Sequence, residues 1–229
     1  MSLKDLHTHI LHGIDDGAKN EKECFDMLFD SFNQGVDCCA LTPHCIIHSE
    51  TAIEDFLQKR NFIFDTLKNK LEGKDVPKIF LGAEVYTDHD ISEHKDIEKL
   101  RIGSTPYILV EPSFKTKYEW LADTVYSLNL KGLIVIIAHI DRYPMWREIM
   151  RELEGLKVIY QINASRFLSF MGRRIIKKLL RYEEHFIVST DMHNMTTRRC
   201  NIKEAFEKAS KMDKTVAKNL FLDTGLILE

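Results

Sequence analysis

Six short, almost uninterrupted apolar runs punctuate the chain: VDCCAL (36–41), KIFLGA (78–83), YILV (107–110), GLIVIIA (132–138), KVIYQI (157–162) and HFIVS (185–189). Runs of this length without polar alternation suit strands buried on both faces. Between them lie longer segments with apolar positions three and four apart, the period of an amphipathic helix. In EKECFDMLFDSFNQG that period puts Cys24, Met27, Leu28, Ser31 and Phe32 on one face and ends at Gly35, suited to a C-cap. TAIEDFLQKRNFIFDTLKNKLEG runs from Thr51, read as an N-cap with Glu54 three residues on, to Gly73. Further helices are predicted over 115–130, 145–154, 171–182 and 201–211. With LKDL (3–6) as an opening strand, the chain makes about seven strand–helix units and predicts a parallel sheet. No glycine-rich dinucleotide or P-loop turn follows a strand. The α/β class expected is therefore a distorted (β/α)7 TIM-like barrel rather than an open doubly wound sheet.

Composition narrows the partners. The 229 residues carry no repeat, low-complexity tract or linker, which predicts one domain over 1–229. Net charge is −3 with no basic stripe, so nucleic acid is not an expected partner. The basic stretch GRRIIKKLLR (172–181) has helical apolar spacing and reads as an outer helix with a solvated face. The longest apolar run, GLIVIIA, is far too short to span a bilayer, so no membrane insertion is expected. Five cysteines at irregular positions (24, 38, 39, 45 and 200) make no disulfide framework. With no leader pattern at the start, they predict a cytoplasmic protein.

The residues just beyond each strand change the picture most. LKDL runs into His7-Thr8-His9, CCAL into Thr42-Pro43-His44, and KIFLGA into Glu84. YILV runs into Glu111, LIVIIA into His139 with Asp141 and Arg142 beyond, and KVIYQI into Asn163. HFIVST runs into Asp191-Met192-His193. In a parallel barrel these strand ends share one mouth, where the βα loops build the active site. Histidine and carboxylate ligands without cysteine suit Mn, Fe or Zn. H-x-H alone is a weak signal; repeated delivery of ligands at strand ends is a strong one. The cysteines are read as buried small hydrophobes, because no arginine lies six positions after any of them, as a thiolate phosphatase signature would need.

The blocks DLHTHILHGIDDGAKN, GVDCCALTPH, GAEVY, YILVEPSF, LKGLIVIIAHIDRY, QINASRFLSFMG and HFIVSTDMHN together resemble the PHP (polymerase and histidinol phosphatase) superfamily. Within it they are most similar to bacterial manganese-dependent protein-tyrosine phosphatases of capsule and exopolysaccharide loci. The resemblance implies three metal positions. His7, His9 and Asp191 would hold the first, with Glu84 bridging to the second; Glu84, Glu111 and His139 would hold the second; Asp16, His44 and His193 the third. Two or three Mn²⁺ ions are implied, with Fe, Zn, Co or Mg as alternatives, and a hydroxide held by them would be the nucleophile. Arg142 and Arg198 match the family's phosphate-contacting arginines, and Asp15 would orient a histidine ligand. The implied substrate is phosphotyrosine on a protein, such as the C-terminal tail of a bacterial tyrosine autokinase. Histidinol phosphate, another small phosphomonoester, or a non-catalytic regulatory role are the alternatives. The chain departs from the family pattern at His12, at 45–48 and in LDTGLILE (222–229), none of them an implied ligand.

Overall fold

The computed structural model describes residues 2–114, 118–182, 184–224 and 226. Its strands are β1 (Leu3–Thr8), β2 (Val36–Leu41), β3 (His44–Ile46), β4 (Lys78–Leu81), β5 (Glu84–Thr87), β6 (Tyr107–Pro112), β7 (Ile134–Ile137), β8 (Val158–Asn163) and β9 (Phe186–Ser189). Every strand pairing is parallel, in the orders β1-β2-β4 and β3-β5-β6-β7-β8-β9. β2 and β3 are one strand path interrupted at Thr42-Pro43; β4 and β5 are another, interrupted at Gly82-Ala83. Backbone hydrogen bonds carry the ladder across both breaks, Gly82 N to Leu41 O at 2.9 Å and Glu84 N to Pro43 O at 3.1 Å. Seven parallel strand paths result among the described residues, as the apolar runs predict. The two ends of the series meet where Thr8 bridges Met192, with His9 N on Met192 O and Asp191 N on His7 O, each at 2.9 Å.

Seven helices accompany the strands among the described residues: α1 (Glu21–Asn33), α2 (Ala52–Leu71), α3 (Glu119–Leu130), α4 (Trp146–Glu152), α5 (Phe170–Leu179), α6 (Ile202–Met212) and α7 (Lys214–Phe221). α1 buries Cys24, Met27, Leu28 and Ser31 as its period predicts, and Gly35 follows its C-cap at φ +87°. Phe32, expected on the same face, is instead exposed. The Thr51 capping box does not form. Thr51 has helical dihedrals and gives its Oγ1 hydrogen to Asp55 Oδ2 at 3.2 Å, so α2 starts without a side-chain cap. α7 is not legible from periodicity, although Asp213 caps it by accepting from Thr215 and Val216 N–H. The first three positions of the helix predicted from 115, and residues 225 and 227–229 of the terminal block, lie outside the described residues. No described helix is long and apolar enough to cross a membrane.

Two apolar clusters sort the packing. The larger lies between strands and helices. The smaller draws on Leu6, Ala40, Phe80, Leu109, Ile136, Ile159 and Ile187, with no helix contribution, so it sits inside the strands. Side chains two apart on a strand share a face, and these inward rows lead directly to the site.

Candidate metal centre

Continuing the inward rows toward the carboxyl ends of the strands takes Ala40 to His44, Phe80 to Glu84 and Leu109 to Glu111. Ile159 leads to Gln161 and Asn163, and Ile187 to Ser189 and Asp191. Each row is apolar below and ligand-like above. β1 and β7 reach the same place by breaking phase. The β1–β2 register shifts between Asp5 and Thr8, and His139 takes a left-handed backbone at φ +31°. Asp191 is left-handed too, at φ +55°. A non-glycine residue held there costs on the order of 1–3 kcal/mol, a cost concentrated at functional sites.

All nine implied ligands converge. Nε2 of His7 and Nε2 of His9 each lie 3.2 Å from Glu84 Oε2 and 3.5 Å from Asp191 Oδ1. His139 Nε2 stands 3.1 Å from Glu84 Oε1 and 3.2 Å from Glu111 Oε1. His44 turns Nδ1 to Glu84 Oε2 at 2.9 Å and Nε2 toward Asp16 Oδ1 at 3.6 Å, while His193 Nε2 is 3.3 Å from Asp16. Three groups have ligand atoms mutually within 4.8 Å: His7, His9 and Asp191; His44, Glu84 and Glu111; and His9, Asp16, His44 and His193. His44 thus reaches two of the groups, and His9 joins the third as well as the first. Asp16 is the exposed edge of the centre, its side chain 66% accessible; His44 is half-buried and the other ligands are buried.

The arrangement suits cations better than protons. Glu84 Oε2 has three imidazole nitrogens at 2.9–3.2 Å yet accepts no aligned hydrogen bond, and His139 Nδ1 and His193 Nε2 are likewise unpartnered. His7 Nε2 and His9 Nε2 face each other at 3.2 Å, within hydrogen-bond reach when one ring carries its proton there, so both rings present Nε2 to the same point. Burial opposes charge on His7, but Glu84 and Asp191 outweigh it and push its pKa up to about 10. His44 is also opposed by burial and is pushed up to about 9, chiefly by Glu84. His193 goes down to about 4, through burial and then the neighbouring charge of His9. Burial works against the Glu84 carboxylate, yet His7, His139 and His44 hold it well below the usual range.

Further residues fix these groups. Asp15 accepts from His9 Nδ1 at 2.6 Å, from His44 N at 2.9 Å and, through its other oxygen, from Gly17 N at 2.9 Å. Burial would raise its carboxyl pKa, but the His9 hydrogen bond and charge hold it well below the usual range. Gln161, absent from the site predicted by sequence, places Oε1 3.1 Å from His7 Nδ1 and accepts from His139 N at 2.5 Å. Its Nε2 donates to Asn163 Oδ1. The sequence signal for it is a pair of amides two apart in a wholly buried strand. Asn163 hydrogen-bonds Asp191 Oδ2 at 3.3 Å, in keeping with its strand-end position. Arg198 Nη2 and Arg142 Nη1 reach the same oxygen at 2.7 and 3.4 Å. His48 turns Nδ1 to Ile46 O, His89 pairs with Asp88 and His185 meets Thr224 O, so these histidines are engaged locally.

The glycine of IDDG has a steric reason. A Cβ at Gly17 would sit 2.1 Å from the His9 carbonyl oxygen, backbone against backbone, so any side chain there must displace the loop bearing Asp15 and Asp16. Gly17→Ala is expected to cost about 1–3 kcal/mol in thermal unfolding and to lower metal content, read by elemental analysis; an unchanged variant would contradict this packing. The cysteines stand apart. Burial pushes the thiols of Cys24, Cys45 and Cys200 up to about 12 and raises Cys38 and Cys39 as well. Treatment with iodoacetamide at pH 8 is therefore expected to leave any hydrolytic activity intact, because the thiolate is the reactive form.

Fold and site define a class: parallel α/β proteins that gather a histidine–carboxylate cluster, suited to divalent cations, at the carboxyl ends of their strands. Within that class the chain belongs to the CpsB/CapC family of capsular polysaccharide synthesis, whose profile matches residues 3–228. It is 29% identical over 237 residues to the tyrosine-protein phosphatase CpsB of Streptococcus pneumoniae, covering 96% of this chain and 95% of that protein. Against the tyrosine-protein phosphatase YwqE of Bacillus subtilis (strain 168) it is 29% identical over 212 residues, covering 88% and 81%. A solved structure from work on YwqE and CpsB as metal-dependent tyrosine phosphatases superposes with a TM-score of 0.75 at 25% identity, over 95% of this chain and 94% of the other. A dihydroorotase from Campylobacter jejuni shares the fold at a TM-score of 0.58 and 10% identity.

Proposed function

We propose that this chain is a metal-dependent protein-tyrosine phosphatase, acting on the phosphorylated tail of a bacterial tyrosine autokinase in capsular or exopolysaccharide synthesis. The observation that carries the reading is the convergence of nine histidine and carboxylate side chains, eight in the mutually close groups and His139 against Glu84 and Glu111, beside two arginines aimed at one carboxylate. His7, His9 and Asp191 would hold one ion, Glu84, Glu111 and His139 a second, and Asp16, His44 and His193 a third, with Glu84 shared. The donor set accepts Mn²⁺ and also Fe, Zn, Co or Mg. When bound, such ions supply a nucleophile at neutral pH and neutralise phosphate charge.

The chain's own groups do the rest. Arg142 and Arg198, each about two-fifths exposed at the rim, offer N–H forks to the equatorial phosphate oxygens. Their shared contact with Asp191 keeps both oriented before substrate arrives. Asp15 and Gln161 hold His9 and His7 by their Nδ1 atoms, leaving Nε2 of each ring to face the centre. A phenolate, whose parent phenol has a pKa of about 10, departs without a strong general acid.

The proton inventory gives one test. Metal must displace the protons that Glu84 and Asp191 hold on His7, and those held chiefly by Glu84 on His44. Mn²⁺ binding at pH 7 is therefore expected to release protons, seen as a binding heat that varies with buffer ionisation enthalpy, and to strengthen as pH rises. The function itself is tested by hydrolysis of a phosphotyrosine peptide, a phosphoserine peptide and histidinol phosphate with Mn²⁺. Preference for the phosphotyrosine peptide supports the reading; preference for histidinol phosphate moves the enzyme to small phosphomonoesters.

A further inference from the structure

Beside the metal centre lies a cavity of about 420 Å³, walled by the loops that follow β7, β8 and β9. Its lining includes three arginines, Arg142, Arg166 and Arg198, with Ser165 and Ser169 between them. Among its lining residues the one carboxylate is Asp191, already engaged by Arg142, Arg198 and Asn163. One phosphoryl group is accounted for by the two arginines on Asp191. Arg166 is not needed for it and has no part in the phosphatase reaction as proposed.

Arg166 is held rigidly. Its Nε donates to Asp141 Oδ2 at 2.5 Å and its Nη2 to the Asp141 carbonyl at 3.2 Å. The Asp141 carboxylate is wholly buried and also accepts from Asn163 N at 2.8 Å. Asp141 belongs to the short 3₁₀ turn Ile140–Arg142, so Arg166 is tied to the segment that carries Arg142. A guanidinium has five N–H donors. Asp141 takes two from Arg166, whose side chain stays 35% exposed at the cavity. Neutralising Asp141 alone would not require a fork that also opens on a pocket with two other guanidiniums. The N-terminus of α5, capped by Ser169, adds the positive end of a ten-residue helix to the same wall. The pocket therefore holds N–H donors of Arg166 that Asp141 leaves free, beside the two guanidiniums that one phosphoryl group takes.

We propose that Arg166 forms a subsite for a second anionic group of the substrate, a carboxylate or phosphate carried two or three residues from the phosphotyrosine. This rests on the phosphotyrosine reading of the site. A sphere of the cavity's volume is about 9 Å across, which spans two to three residues of extended chain at roughly 3.3 Å each. Arg166 thereby sets specificity for acidic sequence context and takes no part in the chemical step.

The test measures kcat/KM of the metal-loaded protein on four phosphotyrosine peptides. These carry, two residues from the phosphotyrosine, an alanine, a glutamate, a non-hydrolysable phosphonate or a lysine. Wild type is expected to favour the anionic peptides over the alanine peptide by about tenfold, the scale of one charge-assisted hydrogen bond. The glutamate and phosphonate arms separate carboxylate from phosphate recognition. Arg166→Gln should bring the anionic-to-alanine ratio to about one. Ser165→Glu, an exposed position on the same wall, should turn the preference toward the lysine peptide without disturbing Asp141. The ratio between peptides cancels any change in overall activity. Equal rates on all four peptides in wild type, or an unchanged ratio in both variants, would overturn the subsite while leaving the phosphatase reading intact. No hydrolysis of any phosphotyrosine peptide would overturn that reading, and the subsite with it.

Discussion

Glu84→Gln is expected to abolish tight metal binding and to lower phosphotyrosine hydrolysis by about 10³-fold or more. That magnitude follows from several kcal/mol of metal-derived transition-state stabilisation at 1.36 kcal/mol per factor of ten. Glu84 is the centre of the constellation: Oε2 lies within 3.2 Å of His7, His9 and His44, and Oε1 within 3.1 Å of His139. Glutamine keeps the shape and removes the charge that assembles the rings. Without that charge His7 and His44 lose the main attraction sustaining their raised pKa values, which stabilises the metal-free fold at pH 7, so the metal-free variant is expected to melt lower than metal-free wild type. The rise in melting temperature on adding Mn²⁺ should vanish. Retained metal together with retained turnover would remove Glu84 from its bridging role.

Arg198→Ala and Arg142→Ala carry the second large effect, with the opposite signature. Each should lower kcat/KM by about 10²–10³-fold, the range for removing one preorganised donor from developing charge, while metal content stays near wild type. Arg198 is expected to show the larger loss, because its 2.7 Å contact with Asp191 Oδ2 is the tighter of the two. Its backbone turn survives truncation: the Arg198 carbonyl accepts from His193 N at 2.8 Å whatever the side chain. Metal loss in either variant would mean that the arginine supports Asp191 as a ligand rather than binding phosphate. Elemental analysis beside steady-state kinetics separates the two.

The strand count is legible in the sequence because parallel strands buried on both faces leave continuous apolar runs. Most of the ligands are legible because they come directly after such a run; Asp16, in the loop beyond His9, is reached only through the resemblance. For His44, Glu84, Glu111 and Asp191 the physical basis is parity, since each continues an inward apolar row. His7, His9 and His139 do not keep that phase. Their place depends on a register shift and a left-handed backbone that no periodicity encodes, so resemblance and their position after a strand are what reveal them. The supporting layer is largely hidden. Gln161, Asp141 and Arg166 act through contacts across 22 to 154 positions of sequence, which local patterns do not carry. Thr51 has the pattern of a cap, and its hydroxyl turns to Asp55 instead.

The central claim is that hydrolysis depends on cations held by the strand-end cluster. Its most direct test is to dialyse the protein against a strong chelator, confirm by elemental analysis that it is metal-free, and assay a phosphotyrosine peptide before and after adding Mn²⁺. The expected result is activity near background in the metal-free protein and recovery that saturates at two to three ions per chain. Undiminished hydrolysis by the metal-free protein would contradict the claim.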